Sequence, residues 1–470
     1  MAQALEVQRI RAVPAADARR VLMISCAFPP TGGPGVQRSA KFAKYLPRFG
    51  WQPVLWSADR LAQLPHDESL TTDLPADLVH HTRPAWSYTA GHRRAMRALR
   101  NLGVARLLNE KQWSGLDWRM LRWFHGLAAH MLPDDQLAWA LRSVGPLLNL
   151  VRRERIDVLF STYSPVSNHL LGLLLRRVTG LPWVADFRDL WTDDYCYTGR
   201  GRARRWIERR LEQTILRNAD AVAAVTPSQT RILSQHVPHQ TAKFIAISNG
   251  VDSDDFERID RRRVRQVLHG PADRFVLNFT GWFLSDRVDE GLIEGLGRFA
   301  RWSRGHEGHF EFRVVGVVSD AMVRRFSDAG VNVVATGYLP HHDAVQHMIS
   351  ADALLLPTPS GRNAGTLSPA KAFEYLAAGR PILQVGAPDG EVQRLIRECR
   401  GGVCVESAPE AVCAALTDLW RRWRCGSAEG VRLGYTPKRL RPFTREYLTG
   451  RLADLLDRVR RNGTTRRRHP

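Results

Sequence analysis

The stretch from Ala364 to Leu383 reads Ala-Gly-Thr-Leu-Ser-Pro-Ala-Lys-Ala-Phe-Glu-Tyr-Leu-Ala-Ala-Gly-Arg-Pro-Ile-Leu, and its residue types and spacing suit phosphate chemistry. Gly365, Thr366, Leu367 and Ser368 form a small polar turn that leads into a predicted helix. Pro369 fits the first turn of that helix, where a missing N–H costs nothing. A helix start offers backbone N–H groups and a partial positive charge, and both favour an anion. Lys371 adds a mobile cation in the first turn, and Glu374 follows near the same helical face. Gly379 ends the helix, and Pro381-Ile382-Leu383 opens a buried strand. A phosphate cradle with a carboxylate one turn along is the pattern of a nucleotide site: charge for a diphosphate, a bidentate acceptor for a ribose diol. Lysine occurs only at Lys41, Lys44, Lys111, Lys243, Lys371 and Lys438, although Lys and Arg together number 68. The two are not interchangeable at a phosphate site, so a compact ammonium retained at Lys371 is informative.

A second cluster, Ala185-Asp186-Phe187-Arg188-Asp189-Leu190-Trp191-Thr192-Asp193-Asp194, follows another predicted strand. Strand ends in open α/β sheets face the ligand crevice, so Asp186, Arg188 and Asp189 are expected to point there. Arg188 either binds a ligand or its phosphate, with Asp189 positioning it or bonding a ligand hydroxyl, or it pairs with Asp189 and braces the cleft. His169, in the turn that begins at Ser161, is either a ligand contact or a structural residue. Asp252-Ser253-Asp254 has the spacing of a divalent-cation binder, but it falls in a linker and no metal site is expected.

Positioning these residues requires strands and helices in alternation, and the chain supplies them. Val21 to Ser25, Val54 to Ser57, Ile156 to Ser161, Pro182 to Asp186, Phe275 to Phe279, Phe312 to Val315, Val331 to Ala335 and Ala353 to Pro357 read as buried strands. Alternation with helical segments implies parallel sheets covered on both faces. The first strand runs into Phe28-Pro29-Pro30-Thr31-Gly32-Gly33-Pro34-Gly35 and then a helix from about Val36 to Phe49, an arrangement that forms an anion-binding crevice or simply a tight turn.

The segment around Lys371 and Glu374 resembles the donor-binding helix of glycosyltransferase family 4, enzymes of the GT-B fold. The Arg-Asp-Leu-Trp run at Arg188 and the Lys-x-x-Glu-Tyr-Leu-Ala-x-Gly run are similar to those of a bacterial subgroup, many of whose members build cell-surface polysaccharides. The family helix carries two glutamates; Glu374 matches the second, and Thr366 stands at the first. The resemblance implies that the Gly32-Gly33 loop faces an interdomain cleft and that the Tyr338-Leu339 backbone reads the base. It also implies that cations after Gly281 meet the donor diphosphate. Trp282 and Arg287 occupy those two family positions, so Arg287 matches in kind and Lys371 substitutes for the other. Other members place a His near Arg188, against the donor sugar. By the resemblance the donor is a nucleotide sugar and the transfer retains configuration. No cofactor or metal is implied.

Length and charge set the outer limits. A chain of 470 residues holds two domains. No apolar run approaches the roughly 20 residues that span a bilayer, and Met1 to Arg20 lacks a signal-type apolar core. The cysteines, Cys26, Cys196, Cys399, Cys404, Cys413 and Cys425, show no zinc or redox spacing, so a soluble, cytoplasmic protein is expected. A net charge of +21 without a zinc finger, RNA-recognition signature or aromatic-basic platform argues against nucleic acid. An anionic membrane surface suits it better, met by the basic tail and by the Arg- and Trp-rich stretch from His92 to Asp135. That stretch, with Trp113, Trp118, Trp123 and Phe124, reads either as an interfacial helix or as an amphipathic helix packed on the first sheet.

The expected architecture is α/β of GT-B type: two Rossmann-like, doubly wound domains around a cleft, with a C-terminal helix crossing back to the first. The boundaries are a disordered lead-in (1–20), an acceptor-binding domain (21–248), a donor-binding domain (249–440), a crossover helix (441–460) and a basic disordered tail (461–470). The expected activity is sugar transfer to an acceptor hydroxyl, lipid-linked or other, in cell-envelope polysaccharide or glycolipid assembly. A soluble small-molecule acceptor, a nucleotide-sugar epimerase and a non-catalytic binding subunit are the alternatives.

Overall fold

The computed structural model describes residues 19–468 apart from 34, 60, 62–63, 86–87, 103, 108–111, 114–115, 121–130, 198–200, 258, 270–272, 284–287, 388 and 427–436. The first domain holds strands β1 (Arg19–Ile24), β2 (Trp51–Ala58), β3 (Val79–Arg83), β4 (Val158–Tyr163), β5 (Trp183–Phe187), β6 (Ala221–Ala224) and β7 (Phe244–Ala246). Its helices are α1 (Gln37–Tyr45), α2 (Tyr88–Asn101), α3 (Leu137–Arg153), α4 (Ser167–Thr179), α5 (Arg202–Asn218) and α6 (Pro227–Gln235). The second domain holds β8 (Arg274–Thr280), β9 (His309–Val315), β10 (Val333–Gly337), β11 (Ala353–Pro357), β12 (Ile382–Val385) and β13 (Gly402–Val405). With it are α7 (Arg261–Leu268), α8 (Glu290–Ser303), α9 (Asp320–Asp328), α10 (His341–Ser350), α11 (Ala370–Ala378), α12 (Glu391–Cys399) and α13 (Pro409–Cys425), followed by α14 (Arg445–Arg468).

Both sheets are parallel throughout, ordered β3-β2-β1-β4-β5-β6-β7 and β10-β9-β8-β11-β12-β13. Strands covered on both faces must be apolar on both, and every residue from Val21 to Ile24 and from Ala353 to Pro357 is buried. On one face of the first sheet Leu22, Ile24 and Trp183 pack with Leu147, Leu171 and Leu175. On the other, Val21, Met23 and Phe160 meet Phe42 of α1 and Leu448, Leu452 and Leu456 of α14. The last helix therefore belongs to the core of the first domain, as a crossover helix. The two passages between domains run side by side, with Val251 N–H donating to Phe443 O at 3.0 Å and Arg445 N–H to Val251 O at 2.8 Å.

Strand order reverses between β1 and β4 and between β8 and β11, so each domain opens a crevice at those strands' C-terminal ends. Several expected boundaries shift. Arg19 and Arg20 belong to β1 and not to a lead-in, held by ion pairs to Asp457 and Glu154. The basic residues 461–468 continue α14, where a disordered tail was expected. No proline interrupts them, and Gly463 fits against Pro182, where a Cβ would come within 3.2 Å. Pro47 turns the end of the first long helix into a 3-10 segment, Leu46–Phe49. In the Arg- and Trp-rich stretch, Met96 is buried and His92 meets Asp117 at 2.9 Å, while Leu102, Leu107 and Trp118 are exposed. Trp123 and Phe124 lie outside the described residues. No helix among the described residues is long and apolar enough to cross a membrane.

Candidate functional site

The loops at the strand ends of the two domains meet across the cleft. Thr226 Oγ donates to Thr366 O at 3.0 Å, Asn249 to Ser368 O at 3.1 Å, and Asn363 to Asp193 O at 2.7 Å. Tyr338, at the end of β10, donates its hydroxyl to Asp67 of the first domain at 2.8 Å. Its hydroxyl also faces Gly32, where a Cβ would lie 2.8 Å away, so a side chain there would push the phenol aside. Burial and the Asp67 hydrogen bond push the Tyr338 phenol pKa upward. Leu339 is half-buried beside it. Gly33 has φ of +112°, a conformation open to glycine and strained for other residues.

The C-terminal wall brings Gly281, Lys371 and Glu374 together. Tyr375 of α11 is fully buried, and its hydroxyl accepts from Thr280 N–H at 2.8 Å, which docks the helix on the end of β8. Lys371 then reaches the turn after β8. Its ammonium lies 4.1 Å from the centroid of the Phe279 ring and 2.9 Å from where a Cβ on Gly281 would stand. Gly281, with φ of +121°, is packed against Gly316, so two glycines keep this turn thin. Glu374 lies on the same helix, 3.9 Å from His341 at the start of α10. Burial drags the His341 pKa down, but Asp255 and Glu374 prevail and the net shift is upward.

The loop before α11 differs in detail from a uniform phosphate cradle. Pro369 caps the helix instead of standing inside its first turn, and Gly379 closes it with φ of +69°. Thr366 and Leu367 use their N–H groups within the loop, on Asn363 O at 3.0 Å and Ala364 O at 3.1 Å. Gly365 packs against Asp389 O, 3.0 Å from its Cβ position. Arg287 lies outside the described residues.

One expectation on the N-terminal wall is corrected. Asp186 is wholly buried and does not face the crevice: it holds the Arg38 guanidinium at 2.7 and 3.1 Å and accepts from Thr162 at 2.8 Å. A carboxylate at the centre of the sheet needs a buried counter-charge, and α1 supplies it. The Arg188 guanidinium donates to three backbone carbonyls, Tyr163, Gly35 and Ser164. It fastens the glycine-rich loop to the ends of β4 and β5. Burial lowers its pKa. Asp189 is exposed at the cleft edge. His169 is fully buried, accepts or donates with Ser161 at 2.8 Å, and is held neutral by burial, with its pKa pulled down to about 3.

A charged cluster joins Asp252 and Asp254 of the linker to lysines of α1 that the sequence analysis did not connect with them. Lys41 of α1 meets Asp252 at 2.7 Å, Asp255 at 2.9 Å and also Asp73, while Lys44 meets Asp252 and Asp254 at 2.8 Å each. Tyr45 adds a 2.6 Å hydrogen bond to Asp252. Asp73, Asp252 and Asp255 lie close enough together to hold a metal ion, but the Lys41 ammonium already sits on all three. The rarity of lysine was the signal available in the sequence, and it marks Lys41 and Lys44 as well as Lys371.

Residues 122–255 match Glycosyltransferase Family 4. A D-inositol 3-phosphate glycosyltransferase of Geodermatophilus obscurus is 26% identical over 213 residues, 43% of this chain. The match spans about half, 46%, of that curated relative's length. Among solved structures, a glycosyltransferase from Rickettsia africae superposes with a TM-score of 0.64 at 12% identity, over 95% of this chain and 100% of the other. HepE of Anabaena, solved in complex with UDP and glucose, gives 0.54 at 12% identity, over 94% and 98% of the two chains. The match to that family's model is confined to residues 122–255, and the two parallel sheets around a cleft are the GT-B fold shared with these structures.

Proposed function

We propose that the protein is a glycosyltransferase that takes a sugar from a nucleoside-diphosphate donor on its C-terminal domain and passes it to a hydroxyl acceptor at the N-terminal wall. The observation that carries this reading is the placement of the Lys371 ammonium over the glycine turn after β8, with Glu374 on the same face of the docked helix. Lys371 and the start of α11 would stabilise the charge of the departing diphosphate, and Glu374 would hold the ribose diol. Arg287 would add a second cation. Catalysis is then positioning and charge stabilisation from the protein's own groups, without a metal. The Anabaena relative's complex with UDP and glucose supports a nucleotide-sugar donor of that kind. Retention of configuration, with the donor's phosphate helping to take the acceptor proton, follows from the family resemblance. So does a role in cell-envelope polysaccharide or glycolipid assembly at the cytoplasmic side of a membrane.

The test is turnover of the purified chain with a panel of nucleoside-diphosphate sugars, with and without a glycolipid extract or simple alcohols as acceptors. Nucleoside diphosphate release that rises with acceptor supports transfer. Conversion of the donor into its epimer without acceptor would replace this reading with an isomerase. Donor binding with no turnover under any of these acceptors would leave a binding subunit.

A further inference from the structure

Helix α5 presents an unusual division of charge. Its two glutamates are buried: Glu208 takes Arg204 and Tyr197, and Glu212 takes Thr192 and His236. The outward face instead carries Arg202, Arg205, Arg209, Arg210 and Arg217, and of these only Arg209 pairs with a carboxylate, Asp193, among the described residues. Like charges repeated at these helical spacings repel one another unless an anion lies between them. The same residues, with Trp206 and Gln213, line a concavity of about 820 Å³ together with Arg362 of the second domain, which lies 3.9 Å from Asp193, the carboxylate that Arg209 also meets. Trp206 is 62% exposed at its centre, with the Arg210 guanidinium 5.5 Å from its ring. Arg362 neighbours Asn363, which ties the loop before α11 to Asp193. The concavity therefore spans the domains beside the loop that leads to Lys371.

We propose that this concavity binds a phosphate or diphosphate head group, separately from the donor, as the handle of a phosphorylated acceptor. Planar guanidinium forks match phosphate oxygens bidentately, and an exposed indole among them can lie against a sugar ring or a lipid interface. The acceptor role rests on the transferase reading above; the anion site itself does not.

The probes are inorganic pyrophosphate, titrated calorimetrically at low salt, and vesicles of phosphatidylglycerol or phosphatidylcholine in co-sedimentation. The variant R202A/R205A/R210A is compared with R152A/R324A/R421A, which removes the same charge from exposed positions on α3, α9 and α13. The parent should bind pyrophosphate at the α5 site and at the donor site. The α5 variant should lose one of these, with affinity there down about tenfold or more, while the control keeps both. A single pyrophosphate site that the α5 variant abolishes would uphold the concavity and count against the donor reading alone. Loss of phosphatidylglycerol binding in the same variant assigns the head group to lipid, and unchanged vesicle behaviour assigns it to a soluble phosphorylated acceptor. Pyrophosphate binding in the α5 variant equal to the parent's in affinity and stoichiometry overturns the proposal.

Discussion

Replacing Lys371 tests the chemistry of the C-terminal wall at one atom. Its ammonium stands 2.9 Å from the Cβ position of Gly281 and 4.1 Å from the Phe279 ring, so the turn after β8 leaves room for a compact cation only. If it faces the donor diphosphate, Lys371→Ala removes a preorganised charge donor of the kind worth about 2–4 kcal/mol in the barrier. That is a loss of roughly 30- to 1,000-fold in kcat/KM. Stability should change far less, since the ammonium's packing on the Phe279 ring is a cation–π pair worth about 0.5–2 kcal/mol. Lys371→Arg should fail to restore activity, because a planar guanidinium does not fit over the thin glycine turn. The assay is steady-state transfer, together with binding of nucleoside mono- and diphosphates by calorimetry. Diphosphate affinity should fall more than monophosphate affinity. Equal losses for the two nucleotides, or full activity in Lys371→Arg, would refute the placement.

Glu374→Gln should weaken nucleoside and nucleotide binding alike by about 1.5–3 kcal/mol, the worth of a hydrogen bond to a charged group, with unchanged melting; unaltered nucleoside affinity would remove the ribose assignment. Lys41→Met leaves Asp73, Asp252 and Asp255 facing one another around an apolar tip, and breaking a buried ion cluster costs about 3–5 kcal/mol, read as a lower denaturation midpoint. His236 is raised to about 9: burial opposes the shift, but Asp193 and Glu212 hold the proton. A raised histidine stabilises fully below its ordinary value of about 6.5 and loses that contribution as pH rises through about 9, here on the order of 3 kcal/mol. Stability measured from pH 6 to 10 should decline across that window in the parent and not in His236→Gln.

Much of this was legible in the sequence because the signals are local. Buried parallel strands are continuous apolar runs, so Val21 to Ile24 and Ala353 to Pro357 announce themselves. Gly379 and Pro381 punctuate the end of α11. What escaped was set by distance in the chain. β3, with the sequence Val-His-His-Thr-Arg, lies half-exposed at a sheet edge, and edge position leaves little apolar pattern to read. Asp186 and Arg188 share a strand end, yet the first is claimed by Arg38 from α1 and the second by carbonyls of the glycine-rich loop. The Lys41 cluster joins α1 to the interdomain turn across more than 200 positions, a pairing no local pattern encodes. Asp67 and Tyr338 likewise meet only when the two domains do.

The central claim is that a nucleoside-diphosphate sugar binds the C-terminal wall through Lys371 and Glu374. A thermal-shift screen of the parent, Lys371→Ala and Glu374→Gln against uridine, adenosine, guanosine and thymidine diphosphate sugars addresses it directly, since a ligand that binds only the folded chain raises its melting temperature by mass action. At least one donor should stabilise the parent, and both variants should lose most of that shift. No stabilisation by any donor, or a shift that survives both substitutions, would contradict the account.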